Sequence, residues 1–340
     1  MNNYADHRPP DLSGTRVAVI GTGTMGSAVT HRLLGAGAAV NVWNRSLGPT
    51  RELASLGAVV HAGPRSAVNG ATVVLTLLPT GDVTHSVMFD RGAVSALAPG
   101  AAWVQMGTIG IDATAALATA VTSFRPDIRF VDAPVSGSRA PAEAGELLVL
   151  GSGPESAKDI VLPILSALGR RTLWLGPAGA GTRMKLVMNT WLAFEVEAAA
   201  EASALADHLG IGPTVLADAL AGSPLVSPLA ASKLQKIQIA DDQADFSLGW
   251  ALKDLELAES AAAPGGIPVA GAISRRWRML ADHGAATLDV SAARLGLFQQ
   301  PLSSADRSQN RQASHGAAET SGLAVNGDPT AYSGVHRAGR

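Results

Sequence analysis

Lys185 and Asn189 stand four residues apart in a stretch of helical composition, so a helix would carry both on one face. An ammonium held on a carbonyl oxygen stabilises the charge that develops there when a hydride reaches the carbon. It also donates the proton that completes the alcohol, an effect worth about 10²–10⁴-fold. Burial and nearby cations lower a lysine pKa, which lets the same group serve as base in the oxidative direction. Lys185 is therefore the candidate catalytic residue, and Asn189 the candidate for orienting it or holding substrate. Such a pair is ordinarily solvent-facing. Here it follows Gly179-Ala180-Gly181, and further motifs give it meaning.

Gly21-Thr22-Gly23-Thr24-Met25-Gly26 lies between an apolar run, Val17–Ile20, and a helical segment from Ser27. In that context the three glycines read as a dinucleotide loop. Gly21 permits the tight turn, Gly23 the approach of a pyrophosphate, and Gly26 close strand–helix packing. A second run, Ala39–Trp43, ends in Asn44-Arg45-Ser46. A carboxylate at this point would bind a ribose 2′-OH. Asn44 removes it, while Arg45 and Ser46 supply a cation and a hydroxyl suited to a 2′-phosphate. The expected cofactor is NADP(H) in preference to NAD(H). Ser136-Gly137-Ser138 follows another short strand and offers hydroxyl and backbone donors to a substrate carboxylate.

These motifs need a scaffold, and the pattern of the chain supplies one. Short apolar runs at 16–20, 39–43, 72–78, 102–106, 129–132, 147–151 and 172–175 alternate with segments of helical length. The alternation predicts a mainly parallel sheet with helices on both faces, a Rossmann-type α/β domain over 15–178. From 179 to 209 nothing breaks a helix, on the order of 45 Å long. Further helices are expected at 215–220, 248–263 and 269–283, making 179–299 an all-α substrate and dimerisation domain. Residues 1–14 are expected to be a flexible N-terminus. The Ser/Ala/Gly-rich stretch 300–340 is expected to be a disordered tail.

Composition excludes several classes. The 340 residues include no cysteine, so thiol nucleophiles and Cys-based metal sites are absent. The eight histidines show no metal-binding spacing, and none accompanies a serine elbow; no metal is expected. A formal net charge of −2 argues against a nucleic-acid partner. No apolar run reaches the ~18–20 residues of a membrane helix, and the first residues do not read as a secretory signal. The expectation is a cytoplasmic protein acting on a small molecule. Glu195, Glu197 and Glu201 are expected to lie exposed or at a subunit contact.

Three motifs in order carry a family resemblance: Asp132-Ala133-Pro134-Val135-Ser136-Gly137-Ser138, then Gly179-Ala180-Gly181 with Lys185 and Asn189, then Lys253-Asp254-Leu255-Glu256-Leu257-Ala258. Together with the glycine loop they resemble the β-hydroxyacid dehydrogenase family over about residues 15–298. The Pro141-Ala142-Glu143 run after Ser-Gly-Ser looks most like its glyoxylate/succinic semialdehyde reductase branch. The resemblance implies a 6-phosphogluconate dehydrogenase-like fold and a homodimer or higher homo-oligomer. It implies a substrate that is a small carboxylate-bearing aldehyde or keto acid. It also implies cofactor contacts from Leu78, Pro79, Thr108 and Lys253. One departure stands out. The family often has Asp-Met-Ser-Thr where this chain has Gln105-Met106-Gly107-Thr108, which implies an altered substrate preference. Two other readings remain: an imine reductase, whose members usually replace the lysine, and a cofactor-binding protein without catalysis.

Overall fold

The computed structural model describes residues 10–297. The first unit runs through β1 (Arg16–Ile20), α1 (Thr24–Gly35), β2 (Ala39–Trp43), α2 (Gly48–Ser55), β3 (Val59–Val60) and α3 (Pro64–Val68). It continues through β4 (Val73–Thr76), α4 (Gly81–His85), β5 (Ala102–Gln105), α5 (Ile111–Phe124) and β6 (Arg129–Asp132). All six strands pair in parallel, in the order β3-β2-β1-β4-β5-β6. The chain winds outward from β1 in one direction and from β4 in the other. That leaves a crevice beyond the C-terminal ends of these two strands, the place where such sheets hold ligands.

Alternation along each strand sorts side chains to two faces. Val17 and Val19 point into one layer with Leu33, Val40, Val42 and Leu165. Ala18 and Ile20 point into the other with Trp43, Trp103, Leu117 and Phe130. A strand buried on both faces has no polar stripe, which is why these runs read as continuously apolar.

Next come β7 (Val135–Ser136), α6 (Arg139–Ala144), β8 (Leu147–Gly151), α7 (Lys158–Leu168) and β9 (Gly169–Trp174). The single mainly parallel sheet expected from sequence is corrected here. These three strands form a second sheet, β7-β8-β9, with β7 antiparallel to β8. Residues 137–146 connect β7 to β8, shorter than the dozen or more of a parallel crossover. An antiparallel bridge between Asp132 and Ser152 joins the two sheets.

The helical unit comprises α8 (Ala180–His208), α9 (Pro213–Leu220), α10 (Pro228–Ile239), α11 (Leu248–Ala261) and α12 (Pro268–Asp282). Ala193 and Val196 of α8 pack with Leu252 and Leu255 of α11 and with Trp277 and Leu280 of α12. The helix α10 has no counterpart in the sequence reading. Its only buried residue is Lys233, whose ammonium donates to both carboxylate oxygens of Asp289 at 2.8 and 3.0 Å. Its apolar residues, Ile237 among them, are only partly buried against the core, and the fully buried anchor is an ion pair, so periodicity does not reveal the element.

Two further expectations change. Leu12 belongs to the supposed flexible N-terminus, yet it is buried in the core and its N–H donates to the Ala36 carbonyl at 2.8 Å. Glu197 is buried, not exposed. Its carboxylate accepts from Trp277 Nε1 at 2.8 Å and pairs with Arg276, and burial raises its pKa. Residues 1–9 and the tail 300–340 lie outside the described residues.

Candidate active site in the cleft between the two units

The glycine loop joins β1 to α1. Gly21 has φ +96°, and a Cβ there would sit 2.5 Å from the Leu77 carbonyl oxygen. A Cβ on Gly26 would sit 1.9 Å from the Gly21 oxygen, so both positions demand glycine. At Gly23 nothing lies within 4 Å of an added Cβ, and the space beside the backbone is open. The Thr22 hydroxyl is buried with no hydrogen-bond partner among the described residues. An open glycine, an unsatisfied hydroxyl and the amino end of α1 at Thr24 and Met25 form a cradle that fits a dinucleotide pyrophosphate. Leu78 is buried behind Gly21, and Pro79 is exposed beyond it.

At the end of β2, Asn44 is engaged on both sides. Its Oδ1 accepts from the Thr22 N–H at 3.2 Å, and its Nδ2 donates to the Ser46 carbonyl at 3.0 Å and hydroxyl at 3.1 Å. Asn44 thus fixes the β2 loop to the glycine loop. Arg45 and Ser46 are exposed.

The Lys185 helix is seated by a set of buried groups that the residue-type reading passed over. A Cβ on Gly181 would lie 2.1 Å from the Leu150 oxygen and 3.1 Å from both the Asp132 oxygen and Pro134. Glycine here lets α8 start directly against the sheets. The fully buried carboxylate of Asp132 accepts from the Thr182 N–H at 2.8 Å, the Thr182 hydroxyl at 2.8 Å and the Ser152 hydroxyl at 3.2 Å. Burial is the larger influence and raises its pKa against these hydrogen bonds. An acid bonded to free N–H groups at a helix start caps the helix and complements its dipole. Asp132 opens the Asp-Ala-Pro-Val-Ser-Gly-Ser motif, so the signal was present in its first letter.

One turn further, Lys185 is half-buried. Its pKa is lowered, first by burial; the Asp254 charge opposes this and the Lys253 charge adds to it. Asn189 is buried, and its Nδ2 donates to Asp254 Oδ2 at 2.5 Å. The other carboxylate oxygen of Asp254 lies 2.7 Å from Lys253 Nζ. Lys253 also donates to the Thr108 carbonyl, crossing from α11 to the loop after β5. One turn along α11, Leu257 fills the space that a Cβ on Gly110 would need, at 2.8 Å. Asp254 therefore contacts Asn189 and Lys253, and its charge acts on Lys185, although the sequence motif gave it no role.

Gly107 also has a steric reason. A Cβ there would lie 2.5 Å from the Leu78 oxygen, so this backbone has no room for a serine. Gln105 stands in a buried chain: Trp103 Nε1 donates to Thr76 Oγ1 at 3.0 Å, and Thr76 donates to Gln105 Oε1 at 2.5 Å. Gln105 Nε2 then donates to the Gly107 oxygen at 3.0 Å. Gly137 has φ +131°, and Ser136 and Ser138 are partly exposed at the end of β7 with no hydroxyl hydrogen bond among the described residues. No cluster of metal-ligating side chains occurs among the described residues.

Comparison with known proteins agrees with this architecture. The family model for the NAD binding domain of 6-phosphogluconate dehydrogenase matches residues 16–176. The model for the NAD-binding region of NADP-dependent 3-hydroxyisobutyrate dehydrogenase matches residues 179–295. Glyoxylate/succinic semialdehyde reductase 1 of Arabidopsis thaliana is 31% identical over 279 residues, covering 81% of this chain and 96% of that protein. The solved 3-hydroxyisobutyrate dehydrogenase of Mycobacterium tuberculosis with L-serine matches with TM-score 0.76 at 28% identity, covering 84% and 99% of the two chains. An imine reductase from Myxococcus stipitatus shares the fold at TM-score 0.56 and 20% identity, covering 82% and 97%. The fold and site define a nicotinamide-dependent oxidoreductase with a Rossmann-like domain followed by a helical one. The chain belongs to the β-hydroxyacid dehydrogenase family.

Proposed function

We propose that this enzyme uses NADP(H) to interconvert a small carboxylate-bearing aldehyde or keto acid and its hydroxy acid. The observation that carries the reading is the buried Asn189–Asp254 bond, with Asn189 on the same helix as the half-buried Lys185, whose pKa burial lowers, where α8 starts against the sheets and α11 meets the Thr108 loop. When bound, the cofactor supplies or accepts the hydride. Gly23, Thr22 and the amino end of α1 hold its pyrophosphate, with Leu78, Pro79, Thr108 and Lys253 along its length. Ser136, Gly137 and Ser138 bind the substrate carboxylate. Lys185 Nζ stabilises the carbonyl oxygen and delivers the proton to it during reduction. Asn189 fixes Asp254, whose charge favours that ammonium, and burial depresses its pKa, which eases return of the proton in the oxidative direction.

The relative's name supplies the first substrates to test. Cofactor oxidation is followed with succinic semialdehyde, glyoxylate and a cyclic imine. Turnover of either aldehyde acid supports the reading; turnover of the imine alone overturns it in favour of imine reduction.

The cofactor preference has its own test. Arg45→Ala weakens NADPH binding by about ten- to a hundred-fold, the worth of a charge-assisted phosphate contact, and leaves NADH nearly unchanged. Equal dissociation constants for the two cofactors in the unmutated enzyme refute the preference.

Assembly as a homodimer or higher homo-oligomer completes the proposal. The helix α9 has no buried residue, and Trp191, Leu209, Val215, Leu225 and Ile239 are exposed on the helical unit. Large apolar side chains exposed in this number on one helical unit are a feature that subunit contacts cover. Sedimentation at micromolar concentration gives a dimeric or larger mass; an active monomer overturns this.

A further inference from the structure

Arg91 lies far from the Asn44-Arg45-Ser46 loop in sequence, yet it meets the residue that precedes this loop, Trp43. It follows a turn of π-helix, Ser86–Asp90, and its N–H closes that turn on the Ser86 carbonyl at 2.9 Å. Its guanidinium carbon stands 5.7 Å from the ring centroid of Trp43, the residue immediately before Asn44. Trp43 is buried at the end of β2, so the ring is a fixed platform. The Arg91 side chain is exposed and makes no ion pair or hydrogen bond among the described residues; neighbouring Asp90 is turned to His85 at 3.7 Å. Arg45 is likewise exposed and makes neither kind of contact among the described residues. Two guanidinium groups that make no ion pair or hydrogen bond among the described residues thus belong to Trp43's surroundings, one following it in sequence and one standing over its ring. One comes from the loop after β2 and one from the segment after α4, with Trp43 between their attachments.

A phosphate monoester carries close to two negative charges at neutral pH and offers three acceptor oxygens. One exposed arginine leaves part of that charge unmatched. A planar cation held on an aromatic face is restricted before any ligand arrives, and so less of its freedom is lost on binding. We propose that Arg91 and Arg45 form a two-cation clamp for the ribose 2′-phosphate of NADP(H), with Trp43 as the platform that aims Arg91. The proposal rests on the NADP(H) preference argued above and adds the residue that completes it.

The test uses the full chain and two cofactor fragments, 2′,5′-ADP and 5′-AMP, with dissociation constants from titration calorimetry. The unmutated protein binds 2′,5′-ADP more tightly than 5′-AMP. Arg91→Gln weakens 2′,5′-ADP by about ten- to a hundred-fold and leaves 5′-AMP unchanged. Arg91→Lys retains part of the difference, because the charge remains while the stacked plane is lost. Unchanged 2′,5′-ADP affinity in Arg91→Gln overturns the clamp and leaves the preference standing on Arg45. Equal weakening of both fragments also overturns it, since Arg91 would then serve the adenosine or the fold. An unmutated protein that does not distinguish the fragments removes the NADP(H) preference itself.

Discussion

Lys185→Met lowers kcat for aldehyde reduction by at least about a hundredfold and leaves cofactor affinity nearly intact. Methionine keeps the length and apolar bulk of the stem and removes the charge and the proton. The cofactor cradle lies in the first unit, around Gly21–Gly26, so its dissociation constant has no reason to move. Lys185→Arg rescues little, because a guanidinium stays protonated and is differently shaped. The pH profile carries the signature. Burial holds the Lys185 pKa below its ordinary 10.5. Reduction, which needs the ammonium, falls as pH rises through that depressed pKa; oxidation, which needs the free amine, rises. Both ionisations vanish in Lys185→Met.

Stability follows with a definite sign. Between the depressed folded pKa and the unfolded value, the folded chain binds fewer protons than the unfolded chain. Stability therefore rises with pH across that window. Below it the folded state carries the cost of a desolvated charge, which the methionine variant lacks. Lys185→Met should melt at a higher temperature than the parent at neutral pH. A variant that reduces a preferred substrate at the parent rate disproves the assignment of the acid.

Gly181→Ala is expected to cost both stability and turnover. The added methyl would fall 2.1 Å from one backbone oxygen and 3.1 Å from another, with Pro134 at 3.1 Å on the same side. None of these is the end of a flexible side chain, so α8 itself must shift. Overpacking of this kind costs about 1–3 kcal/mol, and sometimes more. Each kcal/mol lowers the melting temperature of a domain of some 150–250 residues by about 2–4 °C. Because Lys185 rides one turn further on the same helix, the shift also misplaces its ammonium, and an error of ~1 Å in such geometry costs about a hundredfold in rate. Calorimetric melting and steady-state kinetics check the two effects. A Gly181→Ala enzyme with parental melting temperature and kcat shows that α8 does not need this close seat.

The motifs were legible because each combines a local pattern with a local consequence. The positive φ of Gly21 and the contact of Gly26 with the Gly21 oxygen both lie within one turn, and the length of α8 follows from the absence of a breaker over 180–208. What was not legible depends on partners distant in sequence. The strand β3 has two residues and exists only because β2 pairs with it. The burial of Lys233 is compensated by an aspartate 56 positions away, and that of Glu197 by Trp277, 80 positions away. Asp132 and Asp254 sit inside quoted motifs, yet an acid beside a Pro-Val-Ser run or a lysine reads as a solvated charge. Only the fold shows one fastening a helix start and the other bonded to an asparagine on α8. Leu12 stands among polar residues in sequence; its role rests on a hydrogen bond to Ala36, 24 positions away, and its place in the buried core.

The two places where the helical unit touches the sheet ends differ mechanically. At the start of α8, the attachment consists of buried bonds from the Thr182 N–H and hydroxyl to the Asp132 carboxylate and from the Gly181 N–H to the Ser152 hydroxyl, and glycine brings backbone against backbone. At α11, it consists of one partly exposed ammonium on the Thr108 carbonyl and a leucine side chain against Gly110. The first contact is stiff and the second is easily parted. Any opening of the cleft is therefore expected to pivot at the foot of α8 and to part along α11, with Lys185 moving least and Lys253 most.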